Sequence, residues 1–241
     1  MNRVLINAKI MLQGAYSTTT DKMTDHLRTL AAFPTTASAS YGVGKFIHSS
    51  WQPADGYSIA AAVLTVTGDD AIVDWVFLWF KDPTSTATNL QTRVALLQKD
   101  GDIVELNGVE PVEMPGNATQ NYILGVGHRN YLSVRTPNGS GINFNESTTT
   151  AYDFTTALTQ AYGTNPMQLV DSSPSTIYAF WGGNANANQN IRYSGPANDN
   201  SQLLNTCLGG LPSTVLSSQY SNCDLNMNGV GLSNRRFTGR R

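Results

Sequence analysis

Oxygen-bearing side chains recur at every second position in two stretches near the end of the chain: Asn184, Asn186 and Asn188, then Asp224, Asn226 and Asn228. Each stretch is followed by a basic, aromatic, hydroxyl and glycine run, Arg192-Tyr193-Ser194-Gly195 after the first and Arg236-Phe237-Thr238-Gly239 after the second. A loop that turns alternate residues inward can surround a hard cation such as calcium, which takes about six to eight oxygen ligands. Asp199 supplies a further carboxylate to the first copy, and the second keeps an acidic start in Asp224 and a turn-permitting Gly229. The metal-free alternative is a pair of asparagine turns whose side chains satisfy backbone groups.

Catalytic chemistry has thinner support. The three histidines, His26, His48 and His128, lie in no recognisable motif with a serine, cysteine or carboxylate. His128-Arg129-Asn130 falls in an expected turn, where holding a hairpin by hydrogen bonds is the simplest role. Asp69, Asp70 and Asp74 admit paired carboxylates or a second cation site, but a turn followed by a capped strand accounts for them more simply. The chain is therefore expected not to be an enzyme. Trp75 and Trp79 share one face of an apolar strand and belong to a core, whereas Trp51, near Pro53 and Gly56, is the ring expected to stand exposed and stack on carbohydrate.

Charged residues make up only 13% of the 241 residues and the formal net charge is −2, which disfavours a general electrostatic grip on nucleic acid. No run of about 18 apolar residues is present to span a bilayer as a helix. Residues 1–16 alternate as a strand does and lack the pattern of a secretion signal, so any export signal is expected outside this chain. Two cysteines occur, Cys207 and Cys223. In an oxidising compartment they would pair and stabilise the fold by about 3 kcal/mol, and in a reducing one they would be two small buried thiols.

Abundant Thr, Ser, Asn and Gly with few Lys and Glu favour short strands joined by polar turns. The expected architecture is a β-sandwich, jelly-roll or immunoglobulin-like, over residues 1–150, followed over 151–241 by a connecting segment and the repeat module. Val4–Leu12 alternates as an opening strand, Met23–Leu30 has room for a helical turn capped by Asp21, and Tyr57–Thr67 and Ala71–Phe80 read as buried strands. Asp100-Gly101 marks a hairpin between Thr92–Gln98 and Ile103–Leu106. A second hairpin joins Tyr122–Val126 to Tyr131–Val134 through Gly127–Asn130. Residues 136–150 read as loop, Asp153–Ala161 as a short helix and Ser175–Trp181 as a strand.

Several phrases together resemble one family: Leu12-Gln13-Gly14-Ala15-Tyr16, Val73-Asp74-Trp75-Val76-Phe77, Arg93-Val94-Ala95-Leu96-Leu97-Gln98 and His128-Arg129-Asn130-Tyr131-Leu132. Trp181-Gly182-Gly183, Arg192-Tyr193-Ser194-Gly195-Pro196-Ala197-Asn198-Asp199 and Asp224-Leu225-Asn226-Met227-Asn228-Gly229 fit it too. The chain resembles the C-terminal regions of large bacterial surface proteins, haemagglutinin-like or adhesin-like, that are exported by the type IX route. The resemblance implies a β domain joined to dockerin-like calcium repeats, with Asn184, Ala187 and Gln189 standing where the first loop usually has an acidic start and glycine. It implies an extracellular structural or adhesive role. Self-assembly into a filament or surface layer would run by strand complementation, with Val4–Leu12 the expected donor. The alternative is a carbohydrate- or protein-binding module with calcium-stabilised loops.

Overall fold

The computed structural model describes residues 2–37, 57–84 and 91–232. Trp51, His48 and the run Arg236-Phe237-Thr238-Gly239 lie outside the described residues.

β1 (Arg3–Lys9) buries Val4, Ile6 and Ala8 and turns Arg3 and Asn7 to solvent, the period of a strand packed on one face. β2 (Tyr16–Ser17) and β3 (Lys22–Met23) form a small hairpin, and two 3₁₀ turns follow at His26–Thr29 and Ala61–Thr65. The main run is β4 (Ile72–Lys81), β5 (Gln91–Gln98), β6 (Asp102–Val104), β7 (Val112–Pro115), β8 (Asn121–His128), β9 (Tyr131–Arg135), β10 (Ile142–Asn143) and β11 (Thr150–Asp153). Among the described residues three smaller sheets are each two-stranded: β2 with β3, β12 (Gln168–Asp171) with β13 (Ile177–Ala179), and β14 (Val215–Leu216) with β15 (Gly231–Leu232). The chain is thus mainly β, as its composition implies.

β1 and β4–β11 form a nine-stranded sheet in the order β10-β8-β4-β5-β6-β1-β11, with β9 also on β8 and β7 also on β1. All its pairings are antiparallel except β1 with β11. β4 lies at its centre, paired with β5 from Ile72 to Phe80 and with β8 from Phe77 to Lys81. Ile72, Val73, Trp75 and Val76 are all fully buried, so both faces of this stretch are covered. The Trp75 indole donates to the Pro34 carbonyl at 2.9 Å, which satisfies its polar edge in the core.

One segment ties the two sides of this sheet together. Past β13, Phe180 N–H donates to the Met11 carbonyl at 2.8 Å and Gln13 N–H to the Phe180 carbonyl at 3.2 Å, while Leu132 N–H donates to the Trp181 carbonyl at 2.9 Å. Residues 177–184 therefore run from the end of β1 to the start of β9 and lead into the first asparagine loop. Residue 150, the expected boundary, is the first of β11, which adds to β1, and Phe154, Phe180 and Met227 share one hydrophobic core with Ile6 and Trp75.

Several local expectations change. β1 has β6 and β7 on one side and β11 on the other, so Val4–Leu12 is an inner strand of its own sheet, not a free donor. Tyr57–Thr67 holds a 3₁₀ turn in place of a strand, because its three successive alanines offer little to a pleated face and, within the turn, only Val63 is buried. The turn expected over Met23–Leu30 is confined to His26–Thr29, preceded by Asp25, while Asp21 sits at φ 52°. Residues 136–150 contain β10, and Asp153–Ala161 holds a single 3₁₀ turn, Leu158–Gln160. The Asp100-Gly101 hairpin forms, with Gly101 at φ 101°.

Gly125 and Gly127 on β8 lie under the rings of Trp79 and Phe77; a Cβ on Gly125 would stand 2.0 Å from the Trp79 ring. Gly125→Ala is expected to lower stability by about 1–3 kcal/mol through overpacking and to change the near-ultraviolet dichroism of Trp79. Chemical denaturation with unchanged stability would contradict this packing.

Candidate functional site

The site is built on Asp74, a carboxylate inside the most apolar strand. Its side chain is fully buried and accepts from His128 Nε2 at 3.0 Å and Arg129 Nε at 2.9 Å on Oδ2, and from Tyr220 Oη at 2.6 Å and Trp75 N at 2.7 Å. A buried charge persists only when paired and hydrogen-bonded, and here one oxygen pair meets four donors. β8 ends at His128 and β9 begins at Tyr131, so Arg129 and Asn130 form a tight turn that aims its side chains toward Asp74 and the C-terminal segment. The partners set the His128 tautomer: Nε2–H faces the carboxylate, and Nδ1 lies 3.5 Å from the Asn130 N–H.

Arg129, Asn130 and Tyr131 each grip residues 221–227. Arg129 donates through Nη1 to the Ser221 carbonyl, reaches Met227 Sδ at 3.4 Å and lies over the Tyr220 ring at 4.3 Å. Asn130 Nδ2 donates to the carbonyls of Asn222 at 3.1 Å and Asp224 at 2.9 Å. The Tyr131 hydroxyl donates to the Leu225 carbonyl at 2.9 Å. Cys223, beside Asp224, is buried and bonded to Cys207 across a separation of 16 residues.

The repeat visible in the sequence is a repeat of backbone shape. Ala187 and Gln189 in the first loop have φ 57° and 64°, and Met227 and Gly229 in the second have 61° and 74°. In the first, Asn184 Oδ1 accepts from Gln189 N at 3.2 Å; in the second, Asp224 Oδ2 accepts from Gly229 N at 2.6 Å. Asn188 Oδ1 accepts from Asn190 N at 2.8 Å, and Asn228 Oδ1 from Val230 N at 3.0 Å. Asn186 and Asn188 both donate Nδ2 to the Ala197 carbonyl, and fully buried Asp199 accepts from the N–H groups of Asn186 and Arg192. Asn184, Asn186, Asn188 and Asp199 thus meet in one loop, and Asp224, Asn226 and Asn228 lie in the other.

The donors on offer are carboxamide oxygens, with Asp199 in one loop and Asp224 in the other, a hard set suited to calcium rather than to a transition metal. Among the described residues no three His, Cys, Asp or Glu side chains converge as ligands. Burial pushes the Asp224 carboxyl up, against the Gly229 N–H and Arg129, and a bound cation would relieve that charge. Asp69 instead pairs with Lys22 at 3.1 Å, apart from Asp74. Trp75 is core, and Trp79 is partly buried beside Phe77, their ring centroids 5.3 Å apart. The turn role expected for His128-Arg129-Asn130 is present, but its partners Asp74, Tyr220 and Ser221 are distant in the chain; the one sequence signal was a lone acid within an apolar strand. No protein-family model, curated protein or solved structure matches this chain.

Burial alone would raise Asp74, but Arg129, then His128 and Tyr220, bring it down to about 2. Asp74→Ala removes one partner of a buried pair and is expected to destabilise the fold by about 3–5 kcal/mol in chemical denaturation; a loss under 1 kcal/mol would contradict its role. Burial also lowers His128 from its ordinary 6.5 despite Asp74, so the folded protein holds it neutral while the unfolded chain takes a proton. Stability should therefore fall as pH drops below about 6.5, and fall again between 3.8 and about 2 as Asp74 protonates. Asp224, raised above 3.8, acts in the opposite sense across its own titration. Denaturation midpoints from pH 7 to 5 should be flatter for His128→Gln than for the native chain, and equal slopes would refute the assignment.

Proposed function

We propose that the chain is an extracellular, non-enzymatic surface protein with a structural or adhesive role, whose paired loops take calcium. The observation that carries this reading is the shared shape of residues 184–190 and 224–230, with positive φ at corresponding positions and the first side chain accepting the N–H five residues on. Asn184, Asn186, Asn188 and Asp199 would hold one ion and Asp224, Asn226 and Asn228 the other; calcium would supply charge and rigidity, not chemistry. The Cys207–Cys223 bond favours an oxidising compartment. Asp74 and His128, the pair that could do acid–base work, are sealed from solvent, His128 committed to Asp74 and Asp74 to Arg129 and Tyr220.

On this reading the chain is a β-sandwich with a dockerin-like module, related to the C-terminal regions of type IX-exported adhesins. Self-association would use β11, a terminal strand of the main sheet, as the acceptor edge, with a donor other than β1. A binding module is the second reading, favoured by a cleft of about 550 Å³ lined by Asn186, Asn188, Asn198, Gln202, Asn205 and Thr206, neutral groups that suit saccharide hydroxyls. Chromatography with light scattering, in calcium and then in chelator, separates the two. An oligomer that dissociates in chelator is expected. A monomer in both conditions would reject self-assembly and direct the search to glycans.

A further inference from the structure

We infer that the two loops are one coupled unit, with Asn130 and Tyr131 as the bracket through which an ion in either loop preorganises the other; this rests on the calcium reading above. The bracket grips both loops at their first residue. The Asn130 carbonyl accepts from Gly183 N at 3.3 Å and Asn184 N at 3.1 Å, and the Tyr131 carbonyl accepts from Asn184 Nδ2 at 3.3 Å. The side chains of the same two residues hold the second loop, Asn130 Nδ2 on the carbonyls of Asn222 and Asp224 and the Tyr131 hydroxyl on that of Leu225. Asn130, Tyr131, Asn184 and Asp224 are all fully buried, which shields the connection from bulk solvent.

Asn130 Oδ1 is itself buried with no hydrogen-bond partner. Both contacts of the amide Nδ2 go to the second loop, which identifies its task as gripping that loop rather than satisfying its own turn. Arg129 and Asp74 then fix the bracket to the sheet. A shift of Asp224 must move Asn130, and a shift of Asn130 must move Asn184. Coupling of this kind is reciprocal: whatever one ion does for the second site, the second does for the first.

Tyr131→Phe removes the hydroxyl that meets the Leu225 carbonyl and the Gly14 backbone, leaves the Tyr131 carbonyl's contact with the first loop in place, and keeps the ring in the core. Calcium titrations by calorimetry and by amide resonances are expected to show weaker binding at both loops, by about fivefold at the second. Exchange of the Asn184 and Gln189 amides should quicken along with that of Gly229. Asn186→Ala, at the edge of the first loop, should in turn weaken calcium binding at the second. Calcium binding in which Tyr131→Phe affects the second loop only would overturn the coupling and leave the calcium reading intact. If no calcium binds, the calcium reading fails, and exchange in the metal-free protein decides: quickening at Gly229 alone overturns the bracket, and quickening at Asn184 as well upholds it.

Discussion

A carboxylate with no exposure to water, Asp74, is held against the guanidinium of Arg129, and through that pair residues 220–227 are docked on the sheet. Neither group could be buried alone, since an isolated ion in the interior carries a penalty of several kcal/mol. Together they satisfy each other and still have donors to spare. Arg129 turns its remaining nitrogens to Ser221 and Met227, and Asp74 accepts the Tyr220 hydroxyl, so the same ion pair reaches from the sheet into the second loop.

The rest of the molecule supports this contact from both directions. β4 and β8 are adjacent strands, which brings Asp74 beside the turn that carries His128, Arg129 and Asn130. From the other side, the Cys207–Cys223 bond shortens the unfolded chain's freedom next to Asp224, and residues 177–184 deliver the first loop to the same turn. Two loops far apart in sequence are thereby placed on one short bracket. β proteins with small polar loops need such devices, because a loop of asparagines buries little apolar surface of its own.

Much of the fold was legible where local chemistry decides it. β1, β4 and the Asp100-Gly101 hairpin followed from alternation, apolar length and a residue able to take positive φ. Tyr57–Thr67 misled because apolar content alone does not distinguish a strand from a small-residue surface turn. The loops were visible as spacing, and their matched φ angles give that spacing a physical form. What spacing could not supply was the partner of Asp74: Arg129 is brought to it by strand order and Tyr220 by the docking of residues 221–225 on the β8–β9 turn, which are long-range outcomes. An acid between Val73 and Trp75 demanded a cation, but nothing local said which one.

Hydrogen exchange read by mass spectrometry on Asp74→Asn, side by side with the native chain, addresses the central claim most directly. That substitution keeps the shape of the side chain and removes the charge that holds Arg129. If the buried ion pair docks the loops, exchange will quicken across residues 184–190 and 220–230 while β5 and β6 keep their protection. Quickening restricted to β4 and the β8–β9 turn, with both loops as protected as before, would contradict it.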